Sequence, residues 1–288
     1  MRFVPRLVSQ HPVSAVFLST CLALALWGFA IEPARLVQKE YSLTLTAWSE
    51  RCNGLRVAIL TDLHVGSPFN TLERLTNIVA TVQAARPDLI LLAGDYVIHG
   101  VVGGRFVAPE AIAGRLAGLS APAGVYAVLG NHDWWFDAAR VRRALESVGI
   151  PVLEDAAVDI RTGSCAARLV GIGDFWEGRH DVRAALAAVP ADDEQPLIAF
   201  THNPDVFPGI PARVTLTIAG HTHGGQVYLP LVGRLVVPSR YGERYAIGHV
   251  VEDGRHLFVS AGTGTSILPV RFLVPPEISI LTLRAASR

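Results

Sequence analysis

Five short polar segments of the chain carry side chains that bind metal ions, and each follows directly after a short apolar run. Together they supply seven carboxylate, amide and imidazole donors, namely Asp62, His64, Asp95, Asn131, His202, His221 and His223. A single polar residue at the end of an apolar run is routinely a structural cap. Five segments with the same placement indicate instead one shared site that holds two metal ions.

The apolar runs before these segments are predicted β-strands, because they are short, rich in β-branched residues and bounded by turn residues. They are residues 55–61, 88–93, 124–129, 197–200 and 213–219. Between the first two, residues 71–85 have apolar side chains at helical spacing, and Asn70 with Glu73 resembles a capping box. Strand and helix therefore alternate, and in such sheets ligands bind beyond the carboxyl ends of the strands.

The positions of the donors assign them to two ions. Asp62 and His64 point to the same side of an extended segment, because strand side chains alternate, and they can bind one ion together. Asp95 follows a glycine at the end of the second predicted strand, and its two carboxylate oxygens can bridge both ions. The remaining donors are divided between the second ion, which takes Asn131, His202 and His221, and the first ion, which takes His223.

This donor set predicts both the metals and the reaction. Two carboxylates, one amide and four imidazoles suit Mn, Fe or Zn better than Ca or a purely Mg site. With only two ligand carboxylates, the cluster stays positive and attracts a phosphate ester. Two ions about 3.5–4 Å apart can bind phosphate oxygens and generate hydroxide at neutral pH. We therefore expect hydrolysis of phosphate mono- or diester or pyrophosphate bonds by attack of a metal-bound hydroxide on phosphorus.

The residues around Asn131 are candidates for direct contact with the substrate. His132, next to a predicted ligand, is assigned to transition-state charge stabilisation and leaving-group protonation. A third metal ligand or a packed histidine is the alternative. Asp133 is the second candidate catalytic residue, and it either orients His132 or caps the following helix. Asn131, Trp134 and Trp135 are candidate substrate-binding residues, although the aromatic cluster could instead bury the start of that helix.

Other polar features are less specific. The loops 101–107 and 230–245 contain glycines and arginines that could shape an entrance to the site. The remaining histidines fall outside the motif pattern, and we expect them to be structural or on the surface: His11, His99, His180, His249 and His256.

Length and composition predict one large domain. The chain has 288 residues, half of them hydrophobic, and 25 basic side chains balance 25 acidic ones. About 250 residues remain beyond the apolar N-terminus, enough for a substantial core, and we place the domain at residues 45–288. The zero net charge argues against a nucleic-acid partner, whose binding depends largely on phosphate neutralisation.

The N-terminal region predicts a membrane anchor. Residues 1–12 are short and basic, residues 13–31 contain no charge, and residues 32–44 form a connector. As a helix, the uncharged stretch is about 28 Å long, close to the hydrocarbon thickness of a bilayer. A cleavable signal peptide is the competing interpretation, because Gly28 and Ala30 could precede a cleavage site. We favour a retained anchor, or uncleaved signal, that crosses the bacterial inner (cell) membrane once.

The side of the membrane is weakly predicted, because the flanking positive charges barely decide the orientation. We prefer an external or periplasmic domain, which would permit Cys52 and Cys165 to form a disulfide. Cysteines this far apart in sequence are more often unpaired core residues. Free thiols are therefore the favoured outcome.

The sequence strongly resembles the calcineurin-like metallophosphoesterase superfamily. The motif series D-x-H, GD, GNH[DE], H and GHxH occurs complete and in order between Asp62 and His223. Further similarity, in GGQ at 224–226, VPS at 237–239 and RFLVPPE at 271–277, resembles the bacterial membrane-anchored branch related to the YkuE and YaeI phosphoesterases. The resemblance implies an α/β (α+β) fold, a four-layer α-β-β-α sandwich of two mixed sheets flanked by helices, with the metals at the sheet ends.

One departure from the superfamily bears on the substrate. Its protein Ser/Thr phosphatases carry GD-x-x-D-R-G, whereas Gly94-Asp95 is followed here by YVIHG, so a phosphoprotein substrate is not expected. Some relatives of the membrane-anchored branch hydrolyse UDP-2,3-diacylglucosamine, and an anchor beside an aromatic site would suit such an amphiphilic substrate. That substrate requires a cytoplasmic-facing domain, contrary to the preferred orientation.

Two alternative functions are a non-catalytic, membrane-tethered scaffold of the same fold and a nuclease. A scaffold is expected when metal ligands have been lost, but all seven predicted ligands and His132 are present. The neutral charge and the anchor disfavour a nuclease. The sequence does not predict an oligomeric state.

Overall fold

The computed structural model describes residues 12–286. Its α-helices are α1 (Pro12–Leu26), α2 (Glu32–Ala34), α3 (Leu72–Ala84), α4 (Pro109–Leu116), α5 (Asn131–Glu146) and α6 (Val182–Ala187). Its strands are β1 (Val37–Leu45), β2 (Leu55–Leu60), β3 (Leu89–Ala93), β4 (Val125–Val128), β5 (Ala156–Thr162), β6 (Cys165–Gly171), β7 (Leu197–Phe200), β8 (Leu216–Ala219), β9 (Tyr228–Leu229), β10 (Gly233–Arg234), β11 (Gly248–Glu252), β12 (Arg255–Val259) and β13 (Glu277–Ala285). Apart from Pro12, the predicted basic N-terminus, residues 1–12, lies outside the described residues, and so does His11.

Two mixed sheets form the centre of the domain. The first has the order β1-β13-β2-β3-β4, in which β2, β3 and β4 are parallel and β13 is antiparallel to β2. The second has the order β11-β12-β8-β7-β6-β5, in which an antiparallel strand flanks the parallel strands β12, β8, β7 and β6 on each side. Strands β9 and β10 form a separate antiparallel hairpin.

Side-chain alternation along the strands builds the layers. In β2, Val57 and Ile59 pack between the two sheets, whereas Ala58 and Leu60 pack with side chains of α3, α4 and α5 on the other face. A third cluster covers the outer face of the second sheet with α6 and the helical turn Pro204–Gly209. The predicted four-layer sandwich is therefore confirmed.

All five predicted strands are present, as β2, β3, β4, β7 and β8. The largest difference is at β8, which begins at Leu216 because a turn closes first, with Val214 N donating to Pro211 O at 3.0 Å. The predicted helix is α3, but its N-cap is Thr71, whose side chain accepts a hydrogen bond from Arg74 N. Asn70 instead donates its side-chain amide to Leu63 O, so the predicted capping box is not formed.

The segment predicted as a connector, residues 32–44, contains most of strand β1. This strand pairs in parallel with β13, from Val37 opposite Glu277 to Leu45 opposite Ala285. Only Leu43 and Leu45 are fully buried along it, so the local pattern carries little hydrophobic signal. The first sheet therefore begins at residue 37, ahead of the predicted domain boundary at 45.

The N-terminal helix is long and apolar. Helix α1 continues through a π-helical turn, Trp27–Ile31, into α2. Within the stretch Val13–Ala34, the most apolar 18-residue window has a mean hydropathy of 2.0, and 6% of that window is buried. By length and composition it can cross a membrane, a property that retained anchors share with signal sequences.

A disulfide joins Cys52 and Cys165, which are 113 residues apart in sequence. The expectation of two free thiols is therefore wrong. Cys52 ends the helical turn Glu50–Cys52 before β2, and Cys165 begins β6, so the bridge connects the two sheets at one end of their shared core. Face-to-face packing of the sheets creates this proximity, which sequence separation does not reveal.

Candidate metal centre

The five polar segments meet at one edge of the two sheets. Three follow the parallel strands β2, β3 and β4, and two follow the parallel strands β7 and β8. A direct contact links the two sets, because His221 N donates to Asp62 Oδ2 at 3.0 Å. All seven predicted donors are buried at this edge: Asp62, His64, Asp95, Asn131, His202, His221 and His223.

The first group of donors consists of Asp62, His64 and His223, whose ligand atoms all lie within 4.8 Å of one another. The Nε2 atoms of His64 and His223 are 3.2 Å apart. His223 Nε2 is also 3.4 Å from Asp62 Oδ1. One carboxylate and two imidazoles that converge in this way can hold one cation.

The second group consists of Asp95, His202 and His221, which satisfy the same 4.8 Å distance. His202 Nε2 lies 3.2 Å from Asp95 Oδ2 and 3.1 Å from His221 Nδ1. Asn131 follows β4 at the same edge, and its side chain lines the cavity beside these residues.

Asp95 belongs to the second group and also lies beside the first. Its Oδ2 atom is 3.5 Å from His64 Nε2 on one side and 3.2 Å from His202 Nε2 on the other. Its Oδ1 atom accepts a hydrogen bond from His132 N at 2.9 Å, which fixes the carboxylate plane. The structure thus brings the predicted bridging carboxylate to the position between both sets of donors.

Several donor atoms have no hydrogen-bond partner in the described part of the protein, as expected if they bind metal ions. Among the residues that the structure describes, Asp62 Oδ1, Asn131 Oδ1 and His221 Nε2 are buried without a hydrogen-bond partner. Buried polar atoms are nearly always satisfied in folded proteins, and each orphan needs an explanation such as a bound ion. Oxygen and nitrogen donors of this mixed type suit Mn, Fe or Zn.

The electrostatics also favour bound cations. Burial lowers the pKa of His64 to about 3 and holds the pKa values of His221 and His223 well below the usual imidazole range. These rings are therefore neutral and carry the lone pairs that metal binding requires. Burial raises the pKa of Asp62 to about 6, with Asp95 adding to the effect and His202 opposing it. A buried acidic cluster of this kind draws positive charge.

Backbone carbonyl oxygens orient two of the imidazoles. His202 Nδ1 donates to Ala93 O at 2.8 Å, and His64 Nδ1 donates to Val97 O at 3.3 Å. Each bond leaves the Nε2 atom facing Asp95 Oδ2, at 3.2 Å for His202 and 3.5 Å for His64. Such outer contacts select the tautomer of a metal-binding histidine and fix the direction of its ring.

Several of the donors lie on left-handed backbone. Positive φ angles occur at Asp62 (53°), His64 (38°), Asp95 (58°), His221 (69°) and His223 (51°). Non-glycine residues rarely adopt these angles, and they concentrate at functional sites where the fold outweighs the strain. Strand β2 ends at Leu60, so Asp62 and His64 converge through this irregular backbone. The prediction that they alternate along an extended segment is wrong.

Two glycines let the segments approach closely. A Cβ atom on Gly220 would lie 2.0 Å from Thr61 Oγ1, and one on Gly130 would lie 2.3 Å from Asp95 Oδ1. Any side chain at either position would displace a residue next to the donors. The glycines of the GNH and GHxH motifs therefore serve the packing of the site.

His132 is buried beside the donors. Its ring centroid is 4.5 Å from that of His64, and its Nδ1 atom has no hydrogen-bond partner among the described residues. Its ligand atom also lies within 4.8 Å of those of His64 and Asp95. The ring lines the same cavity as the donors, where it can reach a bound phosphoester.

Asp133 contacts backbone rather than His132. Its carboxylate accepts hydrogen bonds from the backbone N–H groups of Gly130, Asp95, Tyr96 and Val97. The bond to Gly130 is a cap of α5, one of the two predicted alternatives, and the other three hold the loop after β3. Asp133 therefore positions Asp95 by tying two loops together.

The two tryptophans after Asp133 lie in different surroundings. Trp135 lines the cavity, with its ring 4.7 Å from that of His132 and its Nε1 donating to Glu177 Oε1 at 2.8 Å. Trp134 packs against the helical side of the first sheet, beneath the guanidinium of Arg179. One tryptophan thus faces the cavity, and the other buries the start of α5.

The donors open into a cavity of about 330 Å³. Beyond the donors, its lining is largely aromatic and aliphatic, and it includes His99, Trp135, Trp176, Val236, Pro238 and Ile267. Apolar walls around a few convergent polar groups are typical of a small-molecule site.

His99 and Trp176 are cavity residues that the sequence did not identify. His99 is exposed, as expected, but its ring lies 6.1 Å from that of His132. The ring of Trp176 lies 4.5 Å from that of His221. Trp176 follows β6, which is parallel to β7 and ends at the same edge. The apolar run that forms β6 is the sequence signal for this segment, because the residues after it lie at the same edge as the donors.

Arg271 supports the first group from behind. Its guanidinium is fully buried and donates to the backbone oxygens of Ala261, Gly262 and Gly264. It also lies 3.4 Å from His223 Nδ1. Burial lowers the pKa of Arg271 to about 10. This cation holds the segment after β12 against the ring of His223.

The region of this chain that matches a known protein family contains all five polar segments. A family model described as calcineurin-like phosphoesterase matches residues 55–225. The chain is 28% identical to the uncharacterized metallophosphoesterase YkuE of Bacillus subtilis, over 91% of each chain. It is 32% identical to the phosphodiesterase YaeI of Escherichia coli, over 83% of this chain and 86% of YaeI. It is 24% identical to the UDP-2,3-diacylglucosamine pyrophosphatase LpxG of Chlamydia trachomatis, over 88% of this chain and 91% of LpxG.

Proposed function

The chain belongs to the calcineurin-like phosphoesterase family, and on that premise we propose that it hydrolyses a phosphodiester or pyrophosphate bond with two bound metal ions. The observation that carries the proposal is the position of Asp95, whose Oδ2 atom lies 3.5 Å from His64 Nε2 and 3.2 Å from His202 Nε2. A carboxylate between two sets of imidazoles is the arrangement that a bridged pair of ions requires.

The seven donors would hold two ions. Asp62, His64 and His223 would hold the first, Asn131, His202 and His221 would hold the second, and Asp95 would contact both. When bound, Mn, Fe or Zn ions supply Lewis acidity toward phosphate oxygens and a water nucleophile that ionises near neutral pH.

His132 would act on the substrate itself. Its ring lines the cavity beside both groups, and its Nδ1 atom is free of protein partners among the described residues. We assign it to hydrogen bonding with the phosphoryl group and to protonation of the leaving oxygen. Trp135 and Trp176 would pack against the group that the phosphoester carries, and Asn131 would contact its oxygens.

The lining favours an amphiphilic substrate. Aromatic and aliphatic side chains surround the donors, so a phosphoester joined to an apolar or nucleoside group would bury more surface than inorganic phosphate. The printed descriptions of YaeI and LpxG as a phosphodiesterase and a sugar-nucleotide pyrophosphatase support this class.

The disulfide favours a domain on the outer side of the membrane. Disulfides persist in oxidising compartments and are rare in the cytosol, and Cys52–Cys165 bridges the two sheets. With Val13–Ala34 as a retained anchor, we place the domain on the external or periplasmic side. That placement disfavours UDP-2,3-diacylglucosamine, which requires a cytoplasmic site, and favours a lipid-linked phosphoester.

A direct assay tests the proposal. The purified full chain in detergent, stripped of metal and reloaded with Mn²⁺, should hydrolyse bis-p-nitrophenyl phosphate faster than p-nitrophenyl phosphate. The Asp95→Asn variant should lose this activity. A protein that retains two bound ions per chain yet hydrolyses neither ester would instead be the scaffold of the same fold.

A further inference from the structure

The C-terminal end of the apolar helix is bonded to a segment that borders the cavity. Arg271 N donates to Gly28 O at 2.9 Å, and Leu273 N donates to Glu32 Oε2 at 2.9 Å. The indole of Trp27 donates to the same carboxylate oxygen at 2.5 Å. Glu32 is buried between these partners. The end of the helix and residues 270–273 therefore pack as one unit.

The same segment holds the β9–β10 hairpin. Phe272 N donates to Gln226 O, and Tyr228 N donates to Phe272 O, both at 2.9 Å. The side chain of Gln226 also accepts from Ser266 N at 2.6 Å and donates to Leu268 O at 3.3 Å. The hairpin and the loop 266–273 thus continue the surface that begins at the helix end.

This surface exposes aliphatic side chains that we call the apolar collar, defined as Leu231, Val232, Leu235, Val236, Ile267, Leu268 and Leu273. Leu231 is fully exposed, and Val236 and Ile267 are 69% and 68% exposed. Soluble monomers rarely expose large apolar patches, and this many exposed aliphatic side chains on two hydrogen-bonded loops indicate an interaction surface.

The collar is held in place by polar contacts beneath it. The carboxylate of Asp205 accepts from Ser239 Oγ at 2.5 Å and from Arg240 N at 2.8 Å. Arg234 Nε donates to Gly224 O at 2.8 Å. Glu243 accepts a hydrogen bond from Arg234 N at 2.8 Å, and its carboxylate lies 3.6 Å from the guanidinium of Arg234. The surface is therefore ordered, and Glu243 neutralises Arg234 within it.

The position of the apolar helix in a bilayer would set the position of the collar relative to the membrane surface. The uncharged stretch of the helix ends at Ile31. Gly28 precedes Ile31 by three residues, so it would lie about 4.5 Å deeper in the bilayer. Arg271 bonds at Gly28. In a chain anchored by this helix, residues 270–273 therefore lie at the boundary of the hydrocarbon, where the exposed aliphatic groups of the collar can enter the bilayer.

Two residues of the collar also line the cavity. Val236 and Ile267 line the same cavity as Asp95 and His221. A substrate that reaches the metal groups past these two side chains comes from the headgroup region of the membrane.

We infer that the apolar collar docks on the bilayer that the helix crosses, so that the cavity takes a lipid phosphoester directly from the membrane. This substrate assignment rests on the proposed hydrolase function, whereas the docking surface does not. In the reaction, the oxygen of water forms a new bond to phosphorus, the ester bond to the leaving oxygen breaks, and a proton from water passes to that oxygen or to solvent.

The depth of the collar is measured with the full chain in vesicles of phosphatidylcholine and phosphatidylglycerol. Cys21→Ser removes the exposed thiol, and Leu231→Cys then carries an environment-sensitive fluorophore. Val251→Cys is the matched control, because Val251 is 53% exposed on β11, outside the collar. Nitroxide lipids should quench the probe at Leu231 but not at Val251. Equal quenching of both probes by aqueous iodide would overturn the docking surface.

The substrate is tested with phosphatidyl-p-nitrophenol in the same vesicles and with soluble bis-p-nitrophenyl phosphate. The double variant Leu231→Ser/Val232→Ser, outside the cavity lining, should lower turnover of the lipid ester about tenfold or more, because less apolar surface enters the bilayer. Turnover of the soluble ester should stay within about twofold, as for a surface substitution. Equal effects on both esters would overturn the lipid assignment. If the wild-type chain hydrolyses neither ester while the probe at Leu231 is quenched, the hydrolase function fails and the docking surface stands.

Discussion

The carboxylate of Asp133 accepts a hydrogen bond from the backbone N–H of Asp95 at 2.9 Å, which ties the first turn of α5 to the loop after β3. The same carboxylate holds Tyr96, Val97 and Gly130. The position of the bridging carboxylate therefore depends on a buried residue that does not itself face the metal groups.

Replacing Asp133 by alanine should destabilise the fold. The substitution leaves several buried N–H groups without an acceptor, and we expect a loss of about 3–5 kcal/mol in the free energy of unfolding. Urea denaturation measures the loss. Asp137→Ala is the control on the same helix, because Asp137 is exposed and, among the described residues, its carboxylate accepts from one backbone N–H, that of Arg140. It should cost about 0.5–2 kcal/mol, as for the loss of a single N-cap. A fully stable Asp133→Ala protein would contradict this role.

His132→Ala should keep both metal ions and lose most of its turnover. The ring lines the cavity, and loss of a positioned acid or hydrogen-bond donor typically costs about 10²–10⁴-fold in rate. Elemental analysis of the purified variant, beside turnover of bis-p-nitrophenyl phosphate, measures both properties. Loss of one ion per chain would show instead that His132 is a third ligand.

Asp95→Asn and His202→Ala should differ in their metal content. Asp95 contacts both groups of donors, whereas His202 belongs only to the second. Asp95→Asn is therefore expected to release both ions, and His202→Ala to release one. Elemental analysis after dialysis gives the two stoichiometries, and equal metal content in the two variants would rule out a bridging role for Asp95.

The disulfide should be present in protein from cells and should stabilise the fold. Without reductant, alkylation should modify only Cys21, and with reductant after unfolding it should modify all three cysteines. Cys52→Ser/Cys165→Ser should lower the free energy of unfolding by about 2–5 kcal/mol, because the bridge closes a long loop. Three reactive thiols in the native, unreduced protein would contradict both the bridge and the external placement.

Trp135→Ala should weaken substrate binding without loss of metal. Its ring lines the cavity 4.7 Å from that of His132, and we expect KM for bis-p-nitrophenyl phosphate to rise about fivefold with less change in kcat, since stacking is worth about 1 kcal/mol. Trp134→Ala is the comparison, because Trp134 packs beneath Arg179 away from the cavity. That variant should lose stability rather than affinity. If Trp134→Ala raised KM and Trp135→Ala lowered stability instead, Trp134 would be the substrate-binding residue.

The local sequence pattern was sufficient to predict the strands that carry the site and the seven donor residues. Short apolar runs ending in Asp62, Asp95 and His202 were enough to predict the strands, because burial on both faces leaves a continuous hydrophobic signal. The common placement of polar residues at strand ends then predicted the donors, since parallel strands bring their carboxyl ends to one edge. The resemblance supplied the two-sheet architecture.

Features that depend on contacts between segments far apart in sequence were visible only in the tertiary structure. Strand β1 has little hydrophobic pattern of its own and is defined by β13, at the other end of the described chain. The Cys52–Cys165 bridge, the buried Arg271 and the attachment of Gly28 to residue 271 likewise join segments far apart in sequence. Left-handed backbone at Asp62 and His64, rather than strand alternation, directs their side chains. Local propensity predicts the regular elements, but strained angles and long-range contacts form only when the whole core packs around them.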